Sequence, residues 1–308
     1  MPAAQTPAHR RPLTTFFSPR LNWARDGQDW PLRASSRFVQ AGGLRWHVQR
    51  LGAGPQVLLL HGTGAATHTW RGLAPLLAPH FEVLAPDLPG HGFSEPLAAQ
   101  RCSLPGMAHA LAHLLAELRF TPRAVLGHSA GAALMLRLAL DERWGARELV
   151  SLNGALLPFE GAAGLLYAPL ARLLSNNPLV PRLAAWQGRN LHAVRRLLAG
   201  TGSPIDDVGV ALYQRLLGNP GHVASVLAMM ANWDLPSLQQ DLPSLQCPLL
   251  LVAADGDRAV PPRHAARVAA LVPGARQQLL QGLGHLSHEE APHRVAALLR
   301  TSWTRLAG

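Results

Sequence analysis

The chain has 308 residues, of which 48% are apolar, and its formal net charge is +10. This apolar content is enough for a sizeable core and argues against a disordered chain. Two cysteines are too few for a disulfide framework, no apolar run is long enough to span a bilayer, and the N-terminus lacks the apolar stretch of a signal peptide. We therefore expect a cytoplasmic protein with free thiols.

Residues 1–35 are predicted to form an irregular basic arm, because they are rich in proline and arginine and show no clear periodicity. Phe16, Phe17, Trp23 and Trp30 are interleaved with the arginines of this arm. A mixture of basic and aromatic side chains suits the interface of an anionic membrane. The arm is therefore a candidate for peripheral membrane contact, and packing on the rest of the chain is the alternative.

Strand and helix patterns alternate through most of the remaining sequence. An alternating run and several short apolar runs predict strands, the apolar runs being typical of strands buried on both faces. These runs lie at residues 44–52, 56–62, 81–87, 123–128, 148–154, 248–255 and 276–282. Helical patterns lie at residues 107–118, 130–140, 262–272 and 289–300. The alternation predicts an α/β fold with a mostly parallel sheet and helices on both faces.

The alternation stops between residues 155 and 245, where helical patterns are punctuated by proline and glycine. A helical block within an α/β chain predicts an inserted cap, so that residues 36–154 and 246–308 form the core. Large side chains of the cap are candidates to line a pocket for a large, flat apolar ligand, and the alternative is that they form the cap's own core. These candidates are Trp186, Tyr213, Met229, Met230 and Trp233.

Ser129 stands in the sequence Gly-His-Ser-Ala-Gly, between a predicted strand and a predicted helix. Glycines at positions 127 and 131 permit a turn so tight that it pushes the serine hydroxyl out of the sheet. The N-terminus of the following helix favours negative charge that develops beside the serine. Ser129 is therefore the candidate nucleophile, and a tight turn with an incidental serine is the alternative.

A second glycine-containing loop, His-Gly-Thr-Gly at residues 61–64, follows the second predicted strand. Its geometry leaves the N–H of Thr63 exposed, and together with the N–H of Ala130 it forms a candidate oxyanion hole. A loop that cradles phosphate is the alternative, but the lysine of a P-loop is absent. His61 and His128 flank these loops and are expected to be scaffold, because each adjoins a glycine.

Acidic residues and a histidine follow the last two predicted strands, in the chain order that a serine nucleophile requires. Asp257 is favoured as the acid because it lies two residues into its loop, while Asp255 sits at the strand end and is expected to organise the turn. His285 is favoured as the base because it lies in the loop after Gly284. His288 is expected to be a surface or capping residue of the last helix. A neutral imidazole can take the proton of the serine, and a carboxylate fixes its tautomer.

These motifs together resemble the α/β-hydrolase superfamily, and the resemblance covers nearly all of the chain from residue 36 onward. It is carried by HGTG at 61–64, DLPGHGFS at 87–94, GHSAG at 127–131, DGDRAVPP at 255–262 and GLGHLSHEE at 282–290. The resemblance implies the α/β-hydrolase fold and a Ser-His-Asp triad of Ser129, His285 and Asp257. Dehalogenases and epoxide hydrolases of this fold use an aspartate nucleophile, so a serine at position 129 disfavours those reactions. Neither a cofactor nor a metal is expected.

Four further stretches are similar to the magnesium-chelatase accessory proteins of bacteriochlorophyll biosynthesis. They lie at residues 36–54, 151–164, 177–186 and 200–235, mostly in the predicted cap. This resemblance implies a role near the insertion of magnesium into protoporphyrin, with a tetrapyrrole as candidate substrate and chelatase subunits as candidate partners. It implies no particular reaction.

Three functions agree with these observations. The first is a serine hydrolase that acts on an ester or related acyl bond in tetrapyrrole metabolism. The second is a non-catalytic accessory protein that binds porphyrin or chelatase subunits, and the third is a carboxylesterase of another pathway. Nucleic-acid binding is disfavoured, because the basic charge is concentrated in the arm and no recognition motif is present.

Overall fold

The strands of the protein form one mixed sheet in a computed structural model, which describes residues 19–141, 146–158, 177 and 179–303. The strands are β1 Ser36–Ala41, β2 Leu44–Leu51, β3 Gln56–Leu60, β4 Glu82–Pro86, β5 Ala124–His128, β6 Glu148–Leu152, β7 Leu249–Ala254 and β8 Arg276–Leu280. Their order across the sheet is β1-β2-β4-β3-β5-β6-β7-β8. The pairings of β2 with β1 and β4 are antiparallel, and the others are parallel.

The helices of the described residues lie before, between and after these strands. They are α1 Trp23–Asp26, α2 Ala74–Leu77, α3 Leu104–Glu117, α4 Ala130–Asp141, α5 Leu179–Gly188, α6 Leu191–Gly200, α7 Asp207–Leu217, α8 Pro220–Ala231, α9 Leu235–Asp241, α10 Arg263–Leu271, α11 Ser287–Glu290 and α12 Pro292–Ser302. Short 3₁₀ helices occur at Arg33–Ser35, Thr67–Trp70, Ala99–Arg101 and Leu242–Ser244. The predicted α/β fold with a mostly parallel sheet is therefore confirmed.

The sheet is covered on both faces, because successive side chains of a strand point to opposite sides. Leu58 and Leu60 of β3 belong to an apolar cluster with α3, α4, α9 and α10. Val57 and Leu59 of the same strand belong to a second cluster with α2 and α12. The short apolar runs of the sequence thus supply two cores, one on each face of the sheet.

Two edge strands differ from the expectation. The segment that forms β1 lacks an apolar run and was not predicted; it pairs with β2 through a turn at Gly42 and Gly43, both of which have positive φ. This two-residue turn matches the twist of a hairpin. Strand β8 was predicted to resemble the buried strands, but its side chains from Arg276 to Leu279 are exposed. It is the last strand of the sheet, so one of its long edges has no neighbouring strand among the described residues.

The predicted arm is described only in part, since residues 1–18 lie outside the described residues. Trp30 is buried, and its indole N–H donates to the Thr67 hydroxyl at 3.0 Å. Trp23 packs edge-on against Phe38 and Phe93. The two tryptophans in residues 19–35 therefore pack on the core. This packing agrees with the alternative to membrane contact, in which the arm packs on the rest of the chain.

The described residues between β6 and β7 fold as the helices α5 to α9. Helix α5 packs against α7 and α8, and α6 packs against α7. These helices stand at the edge where the parallel strands end, since the carbonyl of Thr201, directly after α6, accepts N–H groups from the loops that follow β7 and β8. In open α/β sheets this edge is where ligands bind.

Candidate active site

Ser129 occupies the turn between β5 and α4, and its φ angle is +52°. Such a left-handed backbone is uncommon for a residue with a side chain and stores strain. Three hydrogen bonds hold it: the Ser129 N–H donates to the Leu152 carbonyl, and the Ser129 carbonyl accepts from the N–H groups of Ala132 and Ala155, each at 3.1 Å. The ends of β5 and β6 and the first turn of α4 therefore fix the backbone of this serine.

The glycines on either side of Ser129 are required by close backbone contacts. A Cβ atom on Gly127 would lie 2.4 Å from the Ala132 Cα, and one on Gly131 would lie 2.2 Å from the Leu60 carbonyl oxygen. Both distances are far below a normal van der Waals contact. The tight turn inferred from the sequence thus brings α4 directly against β3 and β5.

The loop at residues 61–64 lies beside the serine. A Cβ atom on Gly62 would be 3.0 Å from the Cβ of Ser129, and Thr63 and Ala130 line the same cavity as Ser129. The ring of His61 holds the loop: its Nδ1–H donates to the Gly62 carbonyl at 2.8 Å and its Nε2 accepts the Leu88 N–H at 2.9 Å. His61 is therefore a scaffold residue.

His285 contacts Asp257 rather than Asp255. Its Nδ1 lies 2.8 Å from Oδ2 of Asp257, and both side chains are almost completely buried. The other carboxylate oxygen of Asp257 accepts the N–H groups of Ala259 and Val260, each at 2.8 Å. Asp255 is exposed and accepts the Gly282 N–H, so it connects the loop after β7 to the loop after β8.

His288 is not a surface residue, and the sequence-based expectation is wrong. Its side chain is fully buried, its Nε2 lies 2.7 Å from the Thr69 hydroxyl, and its ring stacks at a tilt on Trp70 and His128. Burial, with smaller contributions from His285 and Arg71, lowers the pKa of His288 to about 3, which makes the ring neutral. The short helix α11 turns this position inward, which the polar sequence around it does not suggest.

Two side chains position the His285 backbone from below. Nε2 of His128 donates to the His285 carbonyl at 2.9 Å. Asn153, with a φ of +48°, donates its side-chain N–H groups to the carbonyls of Gly284 and His285 at 3.1 and 2.8 Å, while its oxygen accepts the Ala254 N–H at 2.8 Å. Asn153 was not among the residues predicted from the sequence, where its only signal is an Asn-Gly pair at the end of a predicted strand.

The cap holds the same loops from above. The Thr201 carbonyl accepts the N–H groups of Arg258 and His285 at 3.1 and 3.3 Å. The hydroxyl of Ser203 accepts the Leu286 N–H at 2.7 Å and donates to Glu290 at 2.6 Å. The turn that follows α6 is thus wedged between the loop of the acid and the loop of the histidine.

A buried carboxylate joins the cap to the core a short distance away. Glu289 accepts the hydroxyls of Thr69 and Tyr213 at 2.6 and 2.8 Å and pairs with Arg71, which also contacts Asp206 at 2.8 Å. Burial raises the pKa of the Glu289 carboxyl, although Arg71 opposes the shift. These contacts connect α7 to α11 and fix one side of the cavity.

Ser129 and His285 line a cavity of about 550 Å³ between the sheet and the cap. Met230 and Trp233 are among its lining residues, together with Tyr213. None of the described lining residues is Asp, Glu or Arg. The lining is therefore mostly apolar, although Thr201, Tyr213 and Trp233 of the cap also contribute polar groups.

The structure does not bring the other two pocket candidates to this cavity. Met229, on α8, is buried in the apolar cluster that also contains Leu58 and Leu60 of β3. Trp186 lies on α5 with 68% of its surface exposed, and it is not among the described lining residues. Met229 and Met230 are one residue apart, about 100° around the helix, so only one of them faces the cavity.

The part of the chain that the structure describes contains no group of three or more His, Cys, Asp or Glu side chains placed to hold a metal ion. No helix there combines the length and the apolar character that a bilayer crossing needs.

The family model described as alpha/beta hydrolase fold matches residues 55–292. The chain belongs to the alpha/beta hydrolase fold family. One relative is the protein named Magnesium-chelatase 30 kDa subunit from Rhodobacter capsulatus, 40% identical over 273 residues, which are 88% of this chain and 95% of the relative. The resemblance to chelatase-associated proteins inferred from the sequence is thereby confirmed.

More distant proteins share the fold. The 2-hydroxy-6-oxo-2,4-heptadienoate hydrolase of Pseudomonas putida is 27% identical over 81% of this chain and 89% of its own length. The solved structure of a thermophilic esterase from Thermogutta terrifontis has a TM-score of 0.70 and 21% identity, and the match covers 89% of this chain and 99% of the esterase. At this identity the structural match shows the fold alone.

Proposed function

We propose that the protein is a serine hydrolase that cleaves an ester or related acyl bond, with Ser129 as nucleophile, His285 as base and Asp257 as acid. The contact of 2.8 Å between Asp257 and Nδ1 of His285, at a cavity that Ser129 also lines, carries this proposal. A buried carboxylate paired with a histidine, at a cavity that a strained serine also lines, is the arrangement that activates a serine nucleophile, and simple ligand binding does not require it.

The proposed reaction follows from the roles of these groups. The Asp257 carboxylate accepts Nδ1–H of His285, so Nε2 is the nitrogen that takes the proton of the Ser129 hydroxyl. The serine oxygen attacks the acyl carbon, and the N–H groups of Thr63 and Ala130 are proposed to stabilise the oxyanion. The protonated His285 then gives its proton to the leaving alcohol. Water, activated by the same histidine, releases the acyl group as an acid and restores Ser129.

The place of this reaction is proposed from the relative in Rhodobacter capsulatus, whose name is that of a magnesium-chelatase subunit. We infer a role in bacteriochlorophyll biosynthesis near the insertion of magnesium into protoporphyrin, with a tetrapyrrole as candidate substrate. The apolar lining supports a large apolar ligand, but no described arginine lines the cavity to pair with a propionate. The name of that relative equally favours a second function, a non-catalytic accessory protein that contacts chelatase subunits.

Complementation of a phototrophic strain that lacks this protein separates the two functions. We expect the deletion to lower bacteriochlorophyll or to accumulate a tetrapyrrole precursor, and we expect the wild-type chain to restore pigment while Ser129→Ala does not. Ser244→Ala is the matched control, because Ser244 is exposed and is not among the cavity residues. Pigment extracts and immunoblots for protein level are the measurements. Full restoration by Ser129→Ala would favour the accessory function, and normal pigment in the deletion strain would remove the protein from the pathway.

A further inference from the structure

One face of α5 carries large apolar side chains that no described residue covers. Leu179, Leu183 and Trp186 are 65%, 60% and 68% exposed. Their spacing of four and then three residues places them in one stripe along the helix. Pro181 and Ala185, on the opposite side, are buried, and α5 packs against α7 and α8. The largest apolar side chains of α5 thus face outward, whereas smaller ones are buried.

The next helix, α6, also carries exposed leucines, and one of them lines the cavity. Leu191 and Leu197 of α6 are 40% and 59% exposed, and α6 packs against α5. Leu197 is also a lining residue of the cavity that contains Ser129. A side chain that is both exposed and part of the lining marks the mouth of that cavity. We call Leu179, Leu183, Trp186, Leu191 and Leu197 the cap patch.

Positive charge predominates around the cap patch. Residues 177–207 include four arginines, at positions 182, 189, 195 and 196, and two aspartates, Asp206 and Asp207. Arg195 pairs with Asp207 at the start of α7, and Asp206 pairs with Arg71. Such a surface repels a second copy of itself and attracts an anionic one. Outward leucines, an exposed tryptophan and surrounding arginines are the composition of helices that lie in the interface of an anionic bilayer.

We propose that α5 and α6 seat the protein on an anionic lipid bilayer, with the mouth of the cavity at Leu197 facing the membrane. The apolar, uncharged lining then receives a substrate dissolved in the bilayer. Uptake of substrate by this route rests on the proposed hydrolase function, whereas the binding of the bilayer does not. The proposed membrane surface consists of cap residues and includes none of residues 1–35.

Co-sedimentation of the full chain with vesicles tests the binding. The vesicles contain phosphatidylglycerol and phosphatidylcholine in one series and phosphatidylcholine alone in the other. The test variant is Leu179→Gln with Leu183→Gln, and the control is Leu279→Gln, since Leu279 is 53% exposed but lies on strand β8. Loss of two leucines that the bilayer would bury is expected to lower partitioning into anionic vesicles by about tenfold or more. The control is expected to bind as the wild type does.

Several outcomes would overturn the membrane surface. The first is that the wild type does not bind anionic vesicles at low salt. The second is that the double variant binds as well as the wild type, which would assign binding to another part of the chain, such as the arm. A wild-type dimer in analytical ultracentrifugation that the double variant loses would assign the cap patch to a second copy instead.

Ester turnover separates this inference from the proposed function. With p-nitrophenyl acetate in water, we expect the double variant and the wild type to have the same activity. With a long-chain p-nitrophenyl ester carried in the anionic vesicles, we expect the double variant alone to be slowed. Loss of vesicle binding with unchanged turnover of the vesicle-borne ester would contradict uptake from the bilayer. Absence of turnover in every assay would count against the hydrolase while leaving the binding result intact.

Discussion

Ser129→Ala and His285→Ala are each expected to lower the turnover of a model ester by about 10³-fold or more. The serine variant removes the attacking oxygen, and the histidine variant removes the base that activates it. The two groups act as a unit, so the double variant is expected to lose little beyond either single variant. Steady-state hydrolysis of p-nitrophenyl acetate measures the effect.

The control for these losses is again Ser244→Ala, an exposed serine outside the cavity. Thermal unfolding shows whether each variant keeps its fold; Ser129→Ala retains the backbone hydrogen bonds that hold the turn, because they involve only its N–H and carbonyl. Turnover that stays undiminished in Ser129→Ala would exclude this serine as the nucleophile. Additive losses in the double variant would mean that serine and histidine act independently.

Asp257→Asn is expected to lower turnover by about 10³- to 10⁴-fold, whereas Asp255→Asn is expected to have little effect. Asn at position 257 keeps the size of the side chain and can still accept the N–H groups of Ala259 and Val260. Its amide cannot serve as the charged acceptor that keeps the proton on Nδ1 of His285. Asp255 accepts only the Gly282 N–H among the described contacts of its side chain, a bond that an asparagine oxygen can also accept.

The two aspartate variants form a matched pair, since the residues are two positions apart and the same atoms are exchanged. Assays of kcat with the same ester rank them, and thermal unfolding checks the fold of each. A larger loss in Asp255→Asn than in Asp257→Asn would reassign the acid, despite the contact of 2.8 Å between Asp257 and His285.

Local patterns allowed the core of this fold to be predicted. Apolar runs identify strands whose two faces are both buried, as in β3, β5 and β7. The glycines beside Ser129 report a backbone approach so close that no other residue fits. The acid and the histidine follow from their position after the last strands, because carboxyl ends of parallel strands meet at one edge of a sheet.

Contacts between remote parts of the chain could not be predicted in the same way. Asn153 reaches the His285 loop across more than a hundred residues, and Ser203 reaches it from the cap. His288 looks like a surface residue beside two glutamates, but those glutamates are themselves held by partners from the core and the cap. The periodicity of a single sequence shows which residues share a face of a helix, but it does not show what packs against that face. For this reason Trp186 was predicted as a cavity residue, although it lies outside the cavity.

Labelling with a fluorophosphonate probe tests the central claim, that Ser129 is an activated nucleophile, most directly. We expect wild-type protein to form one covalent adduct, which peptide mapping by mass spectrometry locates on Ser129, and we expect Ser129→Ala to remain unlabelled while Ser244→Ala reacts as the wild type does. Failure of the wild type to react under conditions that label a known serine hydrolase, or an adduct that persists in Ser129→Ala, would contradict the account.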